Sequence, residues 1–246
     1  MRLRLIIVLM GVLLVSVVAS WFVFLPYYPE AADVVSVLAS TDEVLYSHNS
    51  WIVFAPNDPQ TQVTTGLIIY PGARVSPKAY APVANAIASE GYLVVIVAMP
   101  MHLAVLGLNK ADQVRQAHDQ VQTWVMAGHS LGGAMAAKYA LENPAVNGLV
   151  LWAAYPGQND DLSQWPDPVV SIYGSQDGLA TVEKIMVSQE LLPDHTQYVE
   201  ISGGNHAQFG SYGTQRGDGR ANISRQEQQE IIVEHTLKLL GRSGVH

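Results

Sequence analysis

Between Thr123 and Asn143 the chain passes from the apolar run Thr123-Trp124-Val125-Met126-Ala127, through Gly128-His129-Ser130-Leu131-Gly132-Gly133, into an alanine-rich stretch that stops before Pro144. This restricts the fold more than any other part of the sequence, because a strand must turn into a helix within a few residues. Glycines two positions before and after Ser130 mark places where a side chain would collide with the turn. A turn this tight strains the backbone at Ser130 and pushes its hydroxyl out at the carboxyl edge of a sheet. The helix that follows aims its N-terminal amides and positive dipole end at the same edge, so the Leu131 N–H is a candidate donor to a developing oxyanion. A chance Gly/Ser turn would need neither flanking element, and both are present.

The remaining pattern supplies a frame for that turn. Glu43 to Ala55 suggests a two-stranded hairpin around His48-Asn49-Ser50. Apolar runs then alternate with helical stretches: Gly66 to Tyr70, a helix over Pro82 to Glu90, Tyr92 to Ala98, a polar helix over Lys110 to Gln122, and the strand and helix around Ser130. Val146 to Ala153, Pro168 to Tyr173 and Thr196 to Ile201 supply further strands, with helices over Thr181 to Leu191 and Ser224 to Leu240. Ser224 and Glu227 form a Ser-x-x-Glu capping box for the closing helix, and Gly241 is placed to end it. Continuous apolar strands are buried on both faces, which predicts an α/β fold: a mostly parallel central sheet with helices on both sides. Few residues separate the strand at Ala153 from the strand at Val169, so no large lid is expected there. With 49% hydrophobic and 14% charged residues, residues 30–246 suit one packed domain.

Residues 1–29 read differently. Leu5 to Leu25 carries no charge and matches the roughly 20 apolar residues a helix needs to cross a bilayer. Arg2 and Arg4 precede it and Glu30 and Asp33 follow, which orients the body to the extracytoplasmic side, and Trp21, Phe22, Tyr27 and Tyr28 make an interfacial belt. The expectation is a single N-terminal membrane anchor. The alternative is a secreted protein whose signal peptide is cleaved near Val17-Val18-Ala19. A formal net charge of −8 with no Lys/Arg block argues against a nucleic-acid partner. The absence of cysteine removes disulfides, thiolate nucleophiles and Cys-based zinc sites. No cofactor and no metal is expected.

A serine is a poor nucleophile at neutral pH unless a histidine takes its proton and a carboxylate orients that histidine. Asp177, in Tyr173-Gly174-Ser175-Gln176-Asp177-Gly178, and His206, in Gly203-Gly204-Asn205-His206, each follow a predicted strand. They therefore fall on the same sheet edge as Ser130, in the chain order Ser, Asp, His. Asp161 keeps a minor claim to the acid role; Asp160 and Asp167 read as turn residues, His118 and His235 as helical surface residues, and His195 lies at the wrong edge. His129, at the turn's variable position, reads as a packing or hydrogen-bonding residue. The second oxyanion donor is expected from Pro71-Gly72-Ala73-Arg74, with the Ala73 N–H first and the Arg74 N–H second. The Arg74 side chain is a candidate for binding a substrate carboxylate, or is a solvated arginine beside the site.

On these residues the chain resembles the α/β-hydrolase superfamily, and more narrowly the bacterial α/β-hydrolase fold-5 group, over about Glu43 to Leu240. The matching runs are Tyr70 to Val75, Gly128 to Gly133, Tyr173 to Gly178 and Gly203 to Gly210. The resemblance implies an esterase-like enzyme with the triad Ser130, Asp177 and His206, acting on a small-molecule ester or acyl substrate through an acyl-enzyme. A thioesterase, amidase or acyltransferase would use the same triad, and a membrane-anchored binding protein could keep the fold without catalysis. The plan is also similar to that of dienelactone hydrolases, but those carry cysteine where this chain has Ser130. Gly210 to Ile223, with Gly213, Gly217, Asp218 and Gly219, looks like a loop these relatives carry after the histidine, and by itself reads as a cluster of turns.

Overall fold

The computed structural model describes residues 26–243. The expected anchor, Leu5 to Leu25, lies outside the described residues, and among those described no helix is long and apolar enough to cross a membrane.

The strands are β1 (Val44–His48), β2 (Ile52–Pro56), β3 (Thr65–Tyr70), β4 (Leu93–Ile96), β5 (Thr123–His129), β6 (Leu149–Trp152), β7 (Val169–Gly174) and β8 (Gln197–Ile201). They form one eight-stranded sheet in the order β1-β2-β4-β3-β5-β6-β7-β8. β1 and β2 make the expected antiparallel hairpin and β2 joins β4 antiparallel; every later pairing, from β4–β3 to β7–β8, is parallel. The helices are α1 (Ala81–Ala88), α2 (Lys110–Ala117), α3 (Leu131–Glu142), α4 (Val182–Val187) and α5 (Arg225–Ser243).

Alternation along β3 shows why both faces are covered. Leu67 and Ile69 join a core with Val83, Ala84 and Ile87 of α1 and with Ile232, Leu239 and Leu240 of α5. Ile68 and Tyr70 point the other way, into a core with Ala111 and Val114 of α2 and Ala136, Ala137 and Ala140 of α3. Period-2 alternation with every position apolar is what a strand buried on both sides requires.

Several boundaries differ from the sequence expectation, three of them for a visible reason. The polar helix stops at Ala117 instead of reaching Gln122, because the Gln122 and Thr123 amides both donate to the Thr64 carbonyl to start β5 beside β3. The Thr181 to Leu191 helix is α-helical only over Val182–Val187 and tightens to a 3₁₀ turn over Ser188–Leu191. Gly241 does not end the closing helix, which runs on to Ser243. There the buried Ser243 side chain sits against Gly148, where an added Cβ would come within 2.8 Å of its Oγ. Docking of this last turn on the sheet overrides glycine's preference for a helix end. The capping box forms as expected, with the Ser224 amide donating to Glu227 Oε2 at 2.8 Å and the Glu227 amide to Ser224 Oγ at 3.1 Å.

Between β6 and β7, residues 154–168 hold turns and no helix, so nothing large covers the carboxyl edge there.

Candidate active site

Ser130 joins β5 to α3 with φ 54° and ψ −124°, a left-handed backbone conformation that L-residues avoid unless the surroundings impose it. The surroundings here are backbone. Its amide donates to the Trp152 carbonyl of the neighbouring β6, while its own carbonyl accepts from the Gly133 and Ala134 amides and so begins α3. A Cβ on Gly128 would stand 2.4 Å from the Gly132 carbonyl oxygen, and one on Gly132 would stand 2.1 Å from the Tyr70 carbonyl oxygen. No side chain fits at either contact, which is why the sequence places glycine on both sides of the serine. The Leu131 N–H lies in the first turn of α3 and, among the described residues, donates to no backbone carbonyl.

Asp177 lies in the loop after β7 and His206 in the loop after β8. The two loops touch: a Cβ on Gly174 would come within 2.4 Å of the Gly204 carbonyl oxygen. Asp177 Oδ2 stands 2.8 Å from His206 Nδ1, and both side chains are buried. Asp177 Oδ1 accepts the Leu179 and Ala180 amides at 2.8 and 2.7 Å, so the carboxylate is fixed by three donors. An ionised carboxylate accepts only, which assigns the hydrogen to Nδ1 and leaves the lone pair of a neutral ring on Nε2. That Nε2 is buried and has no partner among the described residues.

Ser130, Leu131 and His206 line one cavity of about 260 Å³, together with Ala134, Ala153, Ala154, Tyr155, Leu179 and Ala180. Tyr155 also lines an adjoining groove of about 510 Å³ between the 155–158 segment and α4, walled by Pro156, Val187 and Leu191. A larger groove of about 860 Å³ lies elsewhere, between α1, α5 and the 3₁₀ turn at Ala32–Val37, and shares no residue with the Ser130 cavity. Among the described residues no three His, Asp or Glu side chains gather as a metal ion would need.

The loop after β3 is held by Tyr80, whose part was not visible in the sequence, and through it by His129. The Gly72 amide donates to Tyr80 Oη at 2.9 Å, and Tyr80 Oη lies 2.8 Å from His129 Nδ1. Since the hydroxyl accepts from Gly72, its own hydrogen is available for His129 Nδ1. Burial, and then the neighbouring His206, hold the His129 pKa well below the ordinary histidine range, so the ring is neutral. Its ring centroid is 4.5 Å from that of His206, and it stacks on Phe209 at 5.7 Å. His129 thus has the packing and hydrogen-bonding role expected of it, tying the loop after β3 to the serine turn.

The Arg74 amide is not available as an oxyanion donor: at φ 60° it donates to the His102 carbonyl at 2.7 Å. The 99–103 turn captures this amide, and the same turn takes Arg74 Nη1, which donates to the Met101 carbonyl. Neither Ala73 nor Arg74 is among the residues lining the Ser130 cavity, and the Ala73 amide donates to no backbone carbonyl among the described residues.

The rivals lie away from the cavity. Asp161 accepts the Ser163 amide in an exposed turn, Asp160 pairs with Lys138, and His195 meets the Asp167 carbonyl. His118 caps α2, and His235 on α5 faces Gln197. The base loop has a further support in Gln228 of α5, which is fully buried, accepts the Asn205 amide and donates to the Asn205 carbonyl. In sequence Gln228 looks like any polar residue of a solvated helix face, and Tyr80 like a linker residue; only the tertiary fold shows which amides would otherwise be unpaired.

A mostly parallel eight-stranded sheet covered on both faces, with a strained serine at a strand-to-helix turn on its carboxyl edge, defines the α/β-hydrolase class of fold. Residues 66–230 match the Alpha/beta hydrolase family, and the chain belongs to it. Among solved structures, a thermophilic esterase from the Planctomycetes species Thermogutta terrifontis is similar with a TM-score of 0.58 at 17% identity, covering 79% of this chain and 89% of that one. A predicted CIB-like hydrolase from Thermoplasma acidophilum gives a TM-score of 0.57 at 14% identity, covering 80% of this chain and 98% of that one. At these identities the likeness is one of fold. No curated protein sequence matches the chain.

Proposed function

We propose that the protein is a serine hydrolase that cleaves carboxylic esters through an acyl-enzyme. The observation that carries this reading is the strained Ser130 sharing a cavity with His206, whose Nδ1 is tied to the buried Asp177. In the proposed reaction His206 Nε2 takes the Ser130 proton as Oγ attacks the ester carbonyl carbon. The negative charge gathers on the former carbonyl oxygen, where the amide of Leu131, at the wall of the cavity, stabilises it. Collapse expels the alcohol, which receives the proton from His206. Water, deprotonated by the same nitrogen, then attacks the acyl-serine and releases the acid. Asp177 holds the ring in the tautomer that leaves Nε2 basic and stabilises the imidazolium that forms transiently.

The substrate is an ester with an apolar chain. The reacting carbonyl occupies the small cavity, and the groove beyond Tyr155 receives the chain. Its walls are mainly apolar and its volume falls within the roughly 300–1,000 Å³ of small-molecule sites. Hydrolysis of p-nitrophenyl esters by the purified chain tests the reaction. Wild type turns over and Ser130→Ala does not; a Ser130→Ala chain that keeps most of the wild-type rate contradicts the proposal. We place this domain on the extracytoplasmic side of a membrane, tethered through Leu5 to Leu25, on the strength of that uncharged run and its flanking charges. A reporter fused after His246 that is active only in the cytoplasm would overturn the placement.

A further inference from the structure

The loop from Gly210 to Ile223 takes no part in the reaction just described, yet one of its side chains touches both loops that carry the acid and the base. Asp218 Oδ1 accepts the amides of Gly178 at 3.2 Å, His206 at 3.1 Å and Gly219 at 2.8 Å, and Oδ2 accepts the amide of Ala207 at 2.8 Å. Among the described residues, none of these four amides donates to a backbone carbonyl. Gly178 directly follows Asp177, and His206 is the base itself. A single carboxylate therefore spans the backbones of the β7 and β8 loops next to the acid–base pair, beside the Asp177–His206 hydrogen bond and the bonds of the Gln176 amide to the Gly204 carbonyl and the Gly203 amide to Ser175 Oγ at the base of the loops.

The glycines around Asp218 have a reason in this contact. A Cβ on Gly178 would meet the Gly217 carbonyl oxygen at 2.4 Å, and one on Gly219 would meet the Gln176 carbonyl oxygen at 1.9 Å. Gly217 has φ 88°. The Gly-Asp-Gly segment lies flat on the acid loop because it has no side chains at the contacts. Further ties fix it on the base side: Asn205 Nδ2 donates to the Gly219 carbonyl, and the Asn222 amide donates to the Gly203 carbonyl.

We infer that Asp218 is a positioning residue for the acid–base pair: its carboxylate sets the separation of the Asp177 and His206 backbones and so pre-aligns the hydrogen bond between them. This rests on the proposed serine-hydrolase reading. Asp218 does not line the Ser130 cavity, so its loss is felt in turnover and not in substrate binding. In Asp218→Ala all four acceptor contacts go, and kcat falls about 100-fold, the scale of a misplacement near 1 Å, with KM within about twofold of wild type. In Asp218→Asn the side-chain carbonyl can keep the three Oδ1 contacts while the amide group faces the Ala207 N–H, and kcat falls only about tenfold. Phe54→Leu, buried in β2 at the far side of the sheet, serves as a control that loses stability without touching the site.

The test is kcat and KM on a p-nitrophenyl ester, with melting temperatures and fluorophosphonate labelling, for wild type and the three variants. A graded loss in kcat at steady KM, absent from Phe54→Leu, supports the inference. Wild-type kcat in Asp218→Ala, equal losses in Asp218→Ala and Asp218→Asn, or the same loss in Phe54→Leu, overturns it. If Asp218→Ala fails to fold, Asp218→Asn decides: a tenfold loss in kcat supports, and no loss overturns. Should wild type itself neither label nor hydrolyse, the serine-hydrolase reading has failed, an outcome distinct from all of these.

Discussion

At the scale of single residues, most buried polar atoms of the site have partners among the described residues, the ring Nε2 atoms of His129 and His206 being the exceptions. Tyr80 Oη serves two of them, the Gly72 amide and His129 Nδ1, in a region fully closed to solvent. Tyr80→Phe keeps the ring but strands both, and leaving buried polar groups unsatisfied costs about 1–3 kcal/mol each. The prediction is a lower urea midpoint with an unchanged m-value, and slower ester turnover because His129, packed against His206, loses its anchor; a variant with the wild-type midpoint would contradict it. That Ser130, Asp177 and His206 fall in loops at one sheet edge was legible in the sequence, because each follows a strand and lies within a few positions of glycines that allow a tight loop. The parts of Tyr80, Gln228 and Asp218 were not. Their roles come from contacts to amides distant in the chain, Asp218 reaching Gly178 across 40 positions, and no local pattern encodes them.

At the scale of elements, the strands were the easiest to read, since burial on both faces leaves unbroken apolar runs. Helix ends were harder: α2 and α4 stop early where the chain must enter a strand or tighten a turn, and α5 runs past Gly241 because its last turn docks on Gly148. The Arg74 amide was misassigned for a similar reason, as the turn at Met101-His102 that captures it has no signature in the sequence. Under the proposed reading, α4 also bears on specificity. Val187, at the lip of the groove beyond Tyr155, is 78% exposed, unusual for a large apolar side chain. If an alkyl chain lies there, each added methylene buried is worth about 0.8 kcal/mol, or roughly fourfold in kcat/KM. Rates on p-nitrophenyl esters should climb from acetate through the short acyl chains in wild type, and the climb should flatten in Val187→Asp while the acetate rate holds. A parallel series of alkyl acetates tells whether the chain belongs to the acid or the alcohol. A flat profile in both series for wild type would remove the groove from the account.

At the scale of the whole molecule, stability should depend on pH through the buried His129 and the half-buried His118 and His235. Burial lowers the pKa of His129, His118 and His235 below the ordinary value of 6.5. The unfolded chain then binds protons that the folded chain refuses once the pH falls through 6.5, so stability declines toward acid. Carboxylates such as Asp58 and Asp161, lowered by the Gln60 and Ser163 amides, add to the decline only below their ordinary value of 3.8. The urea midpoint should therefore be lower at pH 5.5 than at pH 7.5, and a flat or rising midpoint toward acid would contradict the buried, neutral state of His129.

The central claim is that Ser130 is an activated nucleophile. Incubation of the purified chain with a fluorophosphonate, followed by mass spectrometry of its peptides, tests it directly. The account predicts a single covalent adduct on Ser130 that is lost in His206→Ala; a folded wild-type chain that takes up no probe, or takes it up elsewhere, would contradict it.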